Sequence, residues 1–227
     1  MRALRFQSSR AIRHVPNSEQ SSKAYRIHVL ENAVEHVVRR LDSSRPVRQL
    51  VQGVQLVISA STAGQEEDQQ NHMLVEAQVR VDIERFPELS GHFPNQPVFP
   101  AVRVLEAFAH LGAVLVAHHH EITKLTETRG WTLPDIETAT TRACQSVASL
   151  NLQCSAVRKA RFRQMVSPPS ILHVSCGLLS NGPHDCSPEC NNVGFSRTYM
   201  MWGEARLPHR GLAAEAEFGI DRYDPDQ

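Results

Sequence analysis

Apolar residues recur with two different periods along the chain, and the period predicts where strands and helices form. Between residues 73 and 83, apolar residues occupy every second position from Val75 to Ile83, with polar residues between them. This alternation predicts a strand with one buried face and one solvated face. Similar but weaker patterns predict five further strands, at 47–60, 150–162, 171–179, 193–207 and 212–220. The last two of these strands are predicted to form a hairpin around 208–211.

Two segments have apolar residues at the three- and four-residue spacing of a helix. Residues 25–41 show this spacing in amphipathic form, which predicts a helix with one wet face. Residues 101–118 are apolar on nearly every side, which predicts a helix buried in the core. Residues 121–146 are polar, rich in threonine and without a clean period, so they are interpreted as an inserted loop with room for a short helix.

Strands around one apolar helix predict an α+β architecture. We expect a single domain over 25–222, with insertions near 121–146 and 180–192. Residues 1–24 carry four arginines and several serines, with no acidic residue before Glu19. This composition is typical both of a flexible tail and of an organelle-targeting segment, and both interpretations stay open.

Composition excludes several classes of function. Lys+Arg and Asp+Glu both number 24, so no overall charge points to a nucleic-acid partner, and no apolar run has the length of a membrane span. Five cysteines, an odd number, favour a reducing compartment, here the cytoplasm. Cys186 and Cys190 have a spacing that zinc sites tolerate, and His184 and Cys176 lie nearby, but a second cysteine pair is missing, so no metal is expected. No nucleotide-binding glycine motif is present, and no cofactor is expected.

One motif carries candidate chemistry. A proline-rich loop with His92 leads directly into the apolar helix at 101, and Glu106 lies in the second turn of that helix. A neutral imidazole can accept a proton near pH 7, and a carboxyl group can donate one. A base and an acid on either side of a helix start suit the removal of a proton beside a carbonyl and the expulsion of a hydroxyl.

The segment 91–110 resembles the active-site segment of the 3-hydroxyacyl-acyl-carrier-protein dehydratases. That family typically reads Gly-His-Phe-Pro, a short linker, Pro-Val-Met-Pro-Gly, and then a helix with Glu-Ala-Leu-Ala-Gln, and the spacing from His92 to Glu106 matches without a gap. Weaker similarity at 158–163, 202–205 and 213–218 extends the resemblance over roughly 74–222. It implies the hot-dog fold, in which an antiparallel sheet wraps a central apolar helix.

The resemblance also implies the roles of individual residues. His92 would take the α-proton of a 3-hydroxyacyl thioester, and Glu106 would protonate the leaving hydroxyl, giving a trans-2-enoyl thioester in fatty-acid or related acyl-chain synthesis. Donating that proton requires a protonated carboxyl, so Glu106 is expected to be buried. The remaining positions implied to bind the substrate or its oxyanion are Ala101, Val102, Phe93, Pro100 and His110.

Three departures from the family pattern cluster near the site. Ala101 stands where the family has glycine, Arg103 where it has an apolar residue, and His110 where it often has glutamine. A guanidinium near Glu106 would favour the charged carboxylate. These departures favour an alternative, a non-catalytic acyl-thioester-binding or scaffold subunit. A thioesterase is less favoured, because hydrolysis needs a nucleophile or an activated water.

The expected partners are acyl carrier protein, or coenzyme A, as the thioester carrier. The basic residues Arg158, Lys159, Arg161 and Arg163 lie together on a predicted strand and would attract an acidic carrier protein. The same charges are typical of a solvated strand edge that resists pairing, and both interpretations stay open. The family resemblance implies a homodimer or a dimer-based oligomer, with the histidine and glutamate of one site on different protomers.

Overall fold

Seven antiparallel strands and two helices make up the part of the chain that the computed structural model describes. That part comprises residues 24–29, 34–35, 50–59, 72–91, 95–126, 133–146, 151–179 and 195–223. The strands are β1 Ala24–His28, β2 Gln52–Ser59, β3 His72–Val81, β4 Asn151–Phe162, β5 Ser170–Leu178, β6 Phe195–Leu207 and β7 Gly211–Tyr223. The helices are α1 Ala101–Thr126 and α2 Leu133–Ser146, and a short 3-10 helix spans Pro87–Ser90.

The strands form one sheet in the order β1-β2-β3-β5-β6-β7-β4. Every strand predicted from alternation is present, and the predicted hairpin joins β6 to β7, with Leu207 opposite Gly211. On β3, the alternate residues Val75, Val79 and Val81 are fully buried, as the pattern predicted. Strand β4 follows the helices in sequence. Among the described strands it pairs only with β7, and it therefore forms one edge of the sheet.

Helix α1 is the centre of the fold, and β3 to β7 all contact it. Every residue from Leu111 to His118 is buried, which confirms the predicted core helix, although it continues to Thr126. The sheet approaches the helix closely at glycines. A Cβ atom on Gly203 would lie 2.7 Å from the Phe108 ring, and one on Gly112 would lie 2.7 Å from Phe218.

The helix predicted over 25–41 is wrong at its start, where the chain forms β1. There the backbone pairs with β2, with Ile27 opposite Leu56, and the Arg26 side chain reaches Glu76 of β3 at 2.6 Å. The backbone hydrogen bonds that this segment makes to β2 stabilise the strand more than its weak helical pattern of apolar residues would stabilise a helix. Val34 and Glu35 do have helical backbone, and residues 36–41 lie outside the described part.

Residues 121–146, interpreted from sequence as an inserted loop, are mostly helical. Helix α1 continues to Thr126, and the 14-residue helix α2 packs against it. Four residues of α2 at helical spacing are buried: Ile136, Ala139, Thr140 and Ala143. Three of these four are small or polar, so the buried stripe gave only a weak hydrophobic pattern. Thr140 Oγ1 also donates to the Ile136 carbonyl at 2.8 Å, which satisfies the buried hydroxyl within the helix.

The expectation that no apolar run has the length of a membrane span is wrong for Ala101–Thr123, which is long and apolar enough by length and composition. Two thirds of it, 67%, is buried inside the fold, as is normal for the core helix of a sheet-wrapped domain. The expected insertion at 180–192 and residues 1–23 of the N-terminal segment lie outside the described residues.

Candidate active site

The chain on either side of the His92 motif is anchored in the core. Before the motif, Phe86 and Leu89 are buried, and the Leu89 amide donates to the Phe86 carbonyl at 3.0 Å. After the motif, Phe99 is buried, and its amide donates to the Val166 carbonyl at 2.7 Å. The Phe86 and Phe99 rings meet edge to face, with centroids 5.2 Å apart. The two ends of the loop are therefore fixed side by side. His92 and Phe93 themselves lie outside the described residues.

Helix α1 begins at Ala101 with its first residues facing outward. Ala101 and Val102 are exposed and Pro100 is half-buried, while the Pro100 carbonyl accepts a hydrogen bond from the Arg103 amide at 3.0 Å. The first amides of a helix have no acceptor within the helix and carry a partial positive charge. The proposed oxyanion position at Ala101 and Val102 thus coincides with the real start of the helix.

Glu106 is held by an ion pair rather than buried. Arg103 Nη1 donates to Glu106 Oε2 at 2.8 Å, and Arg103 Nη2 lies 3.2 Å from Glu88 Oε1. The Glu106 side chain is 37% exposed, so the expectation of a buried carboxyl is wrong for this chain. The hydrogen bond from Arg103 to Glu106 is the main cause that raises the pKa of Arg103, against a smaller opposing effect of burial. Arg103 therefore does not turn away from the site.

The polar face of α1 runs from solvent into the core. Arg103 and Glu106 are half-buried, and His110, one turn further, is only 5% exposed. His118 is completely buried, and its Nδ1 lies 2.7 Å from the Val114 carbonyl. Burial lowers the pKa of His118, which favours the neutral imidazole in the folded protein. His110 thus lies on the same face as Glu106, but deep in the fold.

An apolar pocket of about 140 Å³ opens beside the start of α1. Among the proposed substrate residues, Ala101 lines it, whereas Val102 is 67% exposed and His110 is not part of its wall. The pocket was not predicted from sequence, because its wall combines segments far apart in the chain. These lining residues are Val98, Phe99, Ala101, Val104, Phe162, Gln164, Met165, Val166, Leu172, Ala213 and Ala214.

The predicted basic strand is β4, and acidic residues of β7 face it. Lys159 lies 3.2 Å from Glu217, and Arg163 and Arg161 lie 2.7 and 3.7 Å from Glu215. Arg158 is exposed on the same strand. Four positive charges on this segment thus lie beside two carboxylates of β7. The net charge of this surface is still positive, but smaller than the sequence alone implied.

Of the residues considered for zinc, only Cys176 is described. Its thiol is buried, with Sγ 3.7 Å from the Phe108 carbonyl, and burial raises its pKa well above the usual range. A raised thiol pKa disfavours the thiolate that binds zinc. His184, Cys186 and Cys190 lie outside the described residues.

An antiparallel sheet wrapped around one buried helix defines the hot-dog class of α+β folds, as predicted. Comparison with family models gives no match. Among curated proteins, the 3-hydroxyacyl-[acyl-carrier-protein] dehydratase FabZ of Rickettsia massiliae is 31% identical over 132 residues, which cover 58% of this chain and 65% of that protein. FabZ of Magnetococcus marinus is 36% identical over 93 residues, which cover 41% of this chain and 46% of that protein.

These relatives confirm the predicted resemblance: the chain has the hot-dog fold and is similar in sequence to FabZ dehydratases over part of its length. It spans less than two thirds of the length of the relatives named above. Among solved structures, the dehydratase heterocomplex ApeI:P from Xenorhabdus doucetiae aligns with a TM-score of 0.37 at 15% identity, covering 70% of this chain and 93% of that chain. A score this low carries no argument about function, so the proposal below depends on the site itself.

Proposed function

We propose that this chain is a dehydratase that removes water from 3-hydroxyacyl thioesters to give trans-2-enoyl thioesters. One observation carries the proposal. Glu106 lies half-exposed in the second turn of a helix whose start adjoins an apolar pocket, and it follows His92 by fourteen residues. This elimination requires a carboxyl group, an imidazole and an apolar pocket at a helix start. In this chain the imidazole is close in sequence to the carboxyl group. The FabZ names of the curated relatives support the same reaction class.

The proposed reaction divides between three groups. The His92 imidazole takes the proton from the carbon next to the thioester carbonyl. The first amides of α1, at Ala101 and Val102, stabilise the negative charge that develops on the thioester oxygen. The bond from the β-carbon to the hydroxyl oxygen then breaks, and Glu106 supplies the proton with which that hydroxyl leaves as water.

The ion pair with Arg103 sets a condition on this mechanism. Glu106 Oε2 accepts a hydrogen bond from Arg103 at 2.8 Å, so this oxygen reaches the leaving hydroxyl only when the pair opens or the substrate displaces Arg103. In the hydration direction the same side chain holds the attacking water, so the pair must open for that reaction too. Because dehydration and hydration share one transition state, the ion pair affects both directions alike.

We infer that the active form is a homodimer joined through β4. All residues from Gln153 to Phe162 are exposed, although they belong to strand β4. Val157, Phe162 and Met165 are large apolar side chains with 48%, 45% and 62% exposure. Exposed large apolar side chains beside an unpaired strand edge are normally covered by another chain, even where basic residues lie between them. A second copy would lengthen the sheet and place residues of both protomers near the two helix starts.

The carrier of the thioester is acyl carrier protein or coenzyme A, and the positive excess on β4 favours the acidic carrier protein. We place the enzyme in the cytoplasm, since Cys154 and Cys176 are both free thiols, which fits a reducing compartment.

A crotonyl-thioester hydration assay tests the function. We expect turnover by the wild type, and a loss of roughly 10²- to 10⁴-fold in kcat for His92→Ala and for Glu106→Gln. His209→Ala, which alters an exposed histidine in the β6–β7 turn, serves as the matched control and should retain full activity. Wild-type protein that hydrates neither the crotonyl nor the longer enoyl thioesters contradicts the proposal.

The alternative function, a non-catalytic acyl-thioester-binding subunit, is favoured by the Arg103–Glu106 pair alone. That function predicts binding of acyl thioesters without turnover, and equal binding by wild type and Glu106→Gln. Isothermal titration with a non-hydratable saturated acyl thioester, together with the assay above, separates the two.

A further inference from the structure

A buried carboxylate links three strands on the side of the sheet that faces away from α1. Asp221 of β7 is only 8% exposed, and its Oδ1 atom accepts hydrogen bonds from two hydroxyl groups. Ser155 Oγ of β4 donates at 2.9 Å, and Thr198 Oγ1 of β6 donates at 2.8 Å. The preceding residue, Ile220, lies against Gly112 of α1, so alternation along β7 places Asp221 on the other side. The carboxylate therefore holds the edge strand β4 to the two strands beside it.

Ser155 is the extra residue of a β-bulge. The register of β4 against β7 shifts between Cys154 and Ala156, and Ser155 is the residue inserted there. Its side chain reaches Asp221 by crossing over Gly219. A Cβ atom on Gly219 would lie 2.9 Å from Ser155 Oγ, so the glycine leaves the room that this hydrogen bond needs. The bond to a charged acceptor fixes the position of the inserted residue.

The bulge decides which side of the sheet Val157 faces. Side chains directly opposite each other on neighbouring strands lie on the same face. Val157 lies opposite Phe218, whose ring stacks on Phe108 of α1, so Val157 faces the helix side. Cys154 lies opposite Ile220 and faces the helix side too. Regular alternation over three residues would put Cys154 and Val157 on opposite faces, so the inserted residue is what lets both face α1.

The orientation of Val157 completes one apolar surface. Val157, Phe162 and Met165 are the large apolar side chains exposed along and beside the end of β4. Phe162, like Val157, lies opposite a buried residue of β7, on the helix side. The other side of the strand carries Lys159 and Arg161, which pair with acidic residues of β7. Turned to that side, Val157 would leave the apolar surface and lie among charges.

We propose that Asp221, acting through Ser155, positions Val157 for contact with a second copy of this chain. The assignment rests on the homodimer proposed above as the active form. Asp221 is a positioning residue, because it acts on the interface through another side chain. A slip of one residue in the pairing of β4 would move Val157 to the other face, and the carboxylate selects the register that keeps it in the interface.

The first test is the dissociation constant of the dimer, measured by analytical ultracentrifugation with fluorescence detection. Ser155→Ala removes the hydroxyl and should raise this constant roughly tenfold, because each protomer loses a hydrogen bond to a charged group. Ser155→Thr keeps a hydroxyl and should remain close to wild type. Ser175→Ala makes the same change on the central strand β5 and serves as the matched control. An unchanged constant in Ser155→Ala, or an equal rise in the control, overturns the assignment.

A double variant tests whether Ser155 acts through Val157. Val157→Ser should by itself weaken the dimer, since it removes an apolar contact. Adding Ser155→Ala to Val157→Ser should then change the dissociation constant little, because both substitutions affect the same side chain. Effects that add in full would show that Ser155 acts on the dimer by another route, and this outcome contradicts the proposal.

Replacement of the carboxylate gives a second measurement. Asp221→Asn keeps the shape and one acceptor oxygen but loses the charge, so it should raise the dissociation constant less than Ser155→Ala does. For both variants, hydration of crotonyl thioester per protomer should fall at nanomolar protein concentration and return to the wild-type value at high concentration. A loss that is the same at every concentration would mean a general effect on folding and would count against a role in association.

The failure of this assignment can be told from the failure of the proposed function. If the wild type is a dimer that Ser155→Ala weakens, but it hydrates no enoyl thioester, the dehydratase function fails and the role of Asp221 stands. If the wild type is an active dimer that Ser155→Ala leaves intact, the function stands and the role of Asp221 is overturned. A wild type that is monomeric at every concentration overturns the assignment, and the hydration assay alone then decides the function.

Discussion

Arg103 and Glu106 form a hydrogen-bonded ion pair of 2.8 Å on one face of the central helix, at the position where the proposed reaction needs a carboxyl group. Glu88, at 3.2 Å from the other terminal nitrogen of Arg103, extends this pair to the 3-10 helix that precedes the His92 loop. The pair connects the two segments that carry the candidate acid and base. Opening this pair would release the Glu106 side chain to contact a substrate.

Replacing Arg103 by methionine should increase dehydration activity. Both partners are more than a third exposed, and such pairs contribute at most about 1 kcal/mol, so the gain should not exceed about fivefold. Without the guanidinium, the Glu106 side chain is no longer held at Arg103 and can turn toward the leaving hydroxyl. The measurement is kcat/KM for dehydration between pH 6 and 9.

Arg103→Lys keeps the charge and should behave like the wild type. Glu88→Gln removes only the outer partner and should have a smaller effect than Arg103→Met. If Arg103→Met loses activity and Arg103→Lys restores it, then Arg103 helps to position Glu106, and the inhibitory interpretation is wrong.

A methyl group at Gly203 should destabilise the fold. Its Cβ atom would lie 2.7 Å from the buried Phe108 ring, which stacks on Phe218 with centroids 6.3 Å apart. Overpacking of this kind typically costs about 1–3 kcal/mol. We expect Gly203→Ala to lower the free energy of unfolding by that amount in urea denaturation.

Gly91→Ala is the matched control, because its added carbon would meet nothing closer than 3.8 Å. It should be nearly neutral in stability. The double variant Gly203→Ala, Phe108→Leu should recover part of the loss, and full additivity of the two changes would argue against a direct clash.

Helix α2 should be an integral part of the domain rather than a detachable insertion. Ile136 is fully buried where α2 packs on α1. Ile136→Ala leaves a cavity and should cost about 2–4 kcal/mol in a single unfolding transition. Arg142→Ala, on the exposed face of the same helix, should change stability little. A separate early transition in Ile136→Ala would show that α2 unfolds independently.

Acid should destabilise the protein through His118. Burial lowers the pKa of His118 in the folded state below its usual value of 6.5, so the unfolded chain takes up this proton first as the pH falls. The stability contribution is present above pH 6.5 and is lost below it, at up to about 1.4 kcal/mol per pH unit.

His118→Gln cannot take up that proton but keeps an amide that can bond to the Val114 carbonyl. Its free energy of unfolding should therefore vary less between pH 7 and 5 than that of the wild type. Parallel curves for the two proteins would mean that other groups cause the acid sensitivity.

Alternation in the sequence was enough to predict the strands, because one buried face imposes a period of two. Val75 and Val79 show this most clearly on β3. The run from Leu111 to His118 predicted the core helix for a similar reason, since a helix enclosed on all sides has no polar stripe. Local patterns determine these elements, so they can be read without knowledge of the neighbouring segments.

Contacts between distant segments could not be predicted in this way. The start of β1 has a helical period, but its backbone joins the edge of β2. Arg103 contacts Glu88, which lies fifteen residues earlier in the chain. The segment between them has no periodic sequence pattern from which this contact could be predicted. The pocket likewise joins Val104, Met165 and Ala213 from three separate segments. Spacing in sequence identified the candidate acid and base and placed Arg103 near Glu106, but it did not predict the contact of Arg103 with Glu88.

The central helix is enclosed along its middle and open only at its first turns. Substitutions between Leu111 and His118 disturb many neighbours at once, so this part of the molecule should tolerate little change. Phe162 and Met165, at the rim of the sheet, are exposed within the single chain, so in the proposed dimer the partner sets the constraint on them. Variants at the rim should therefore alter association of the protomers, and variants in the enclosed middle of the helix should alter folding.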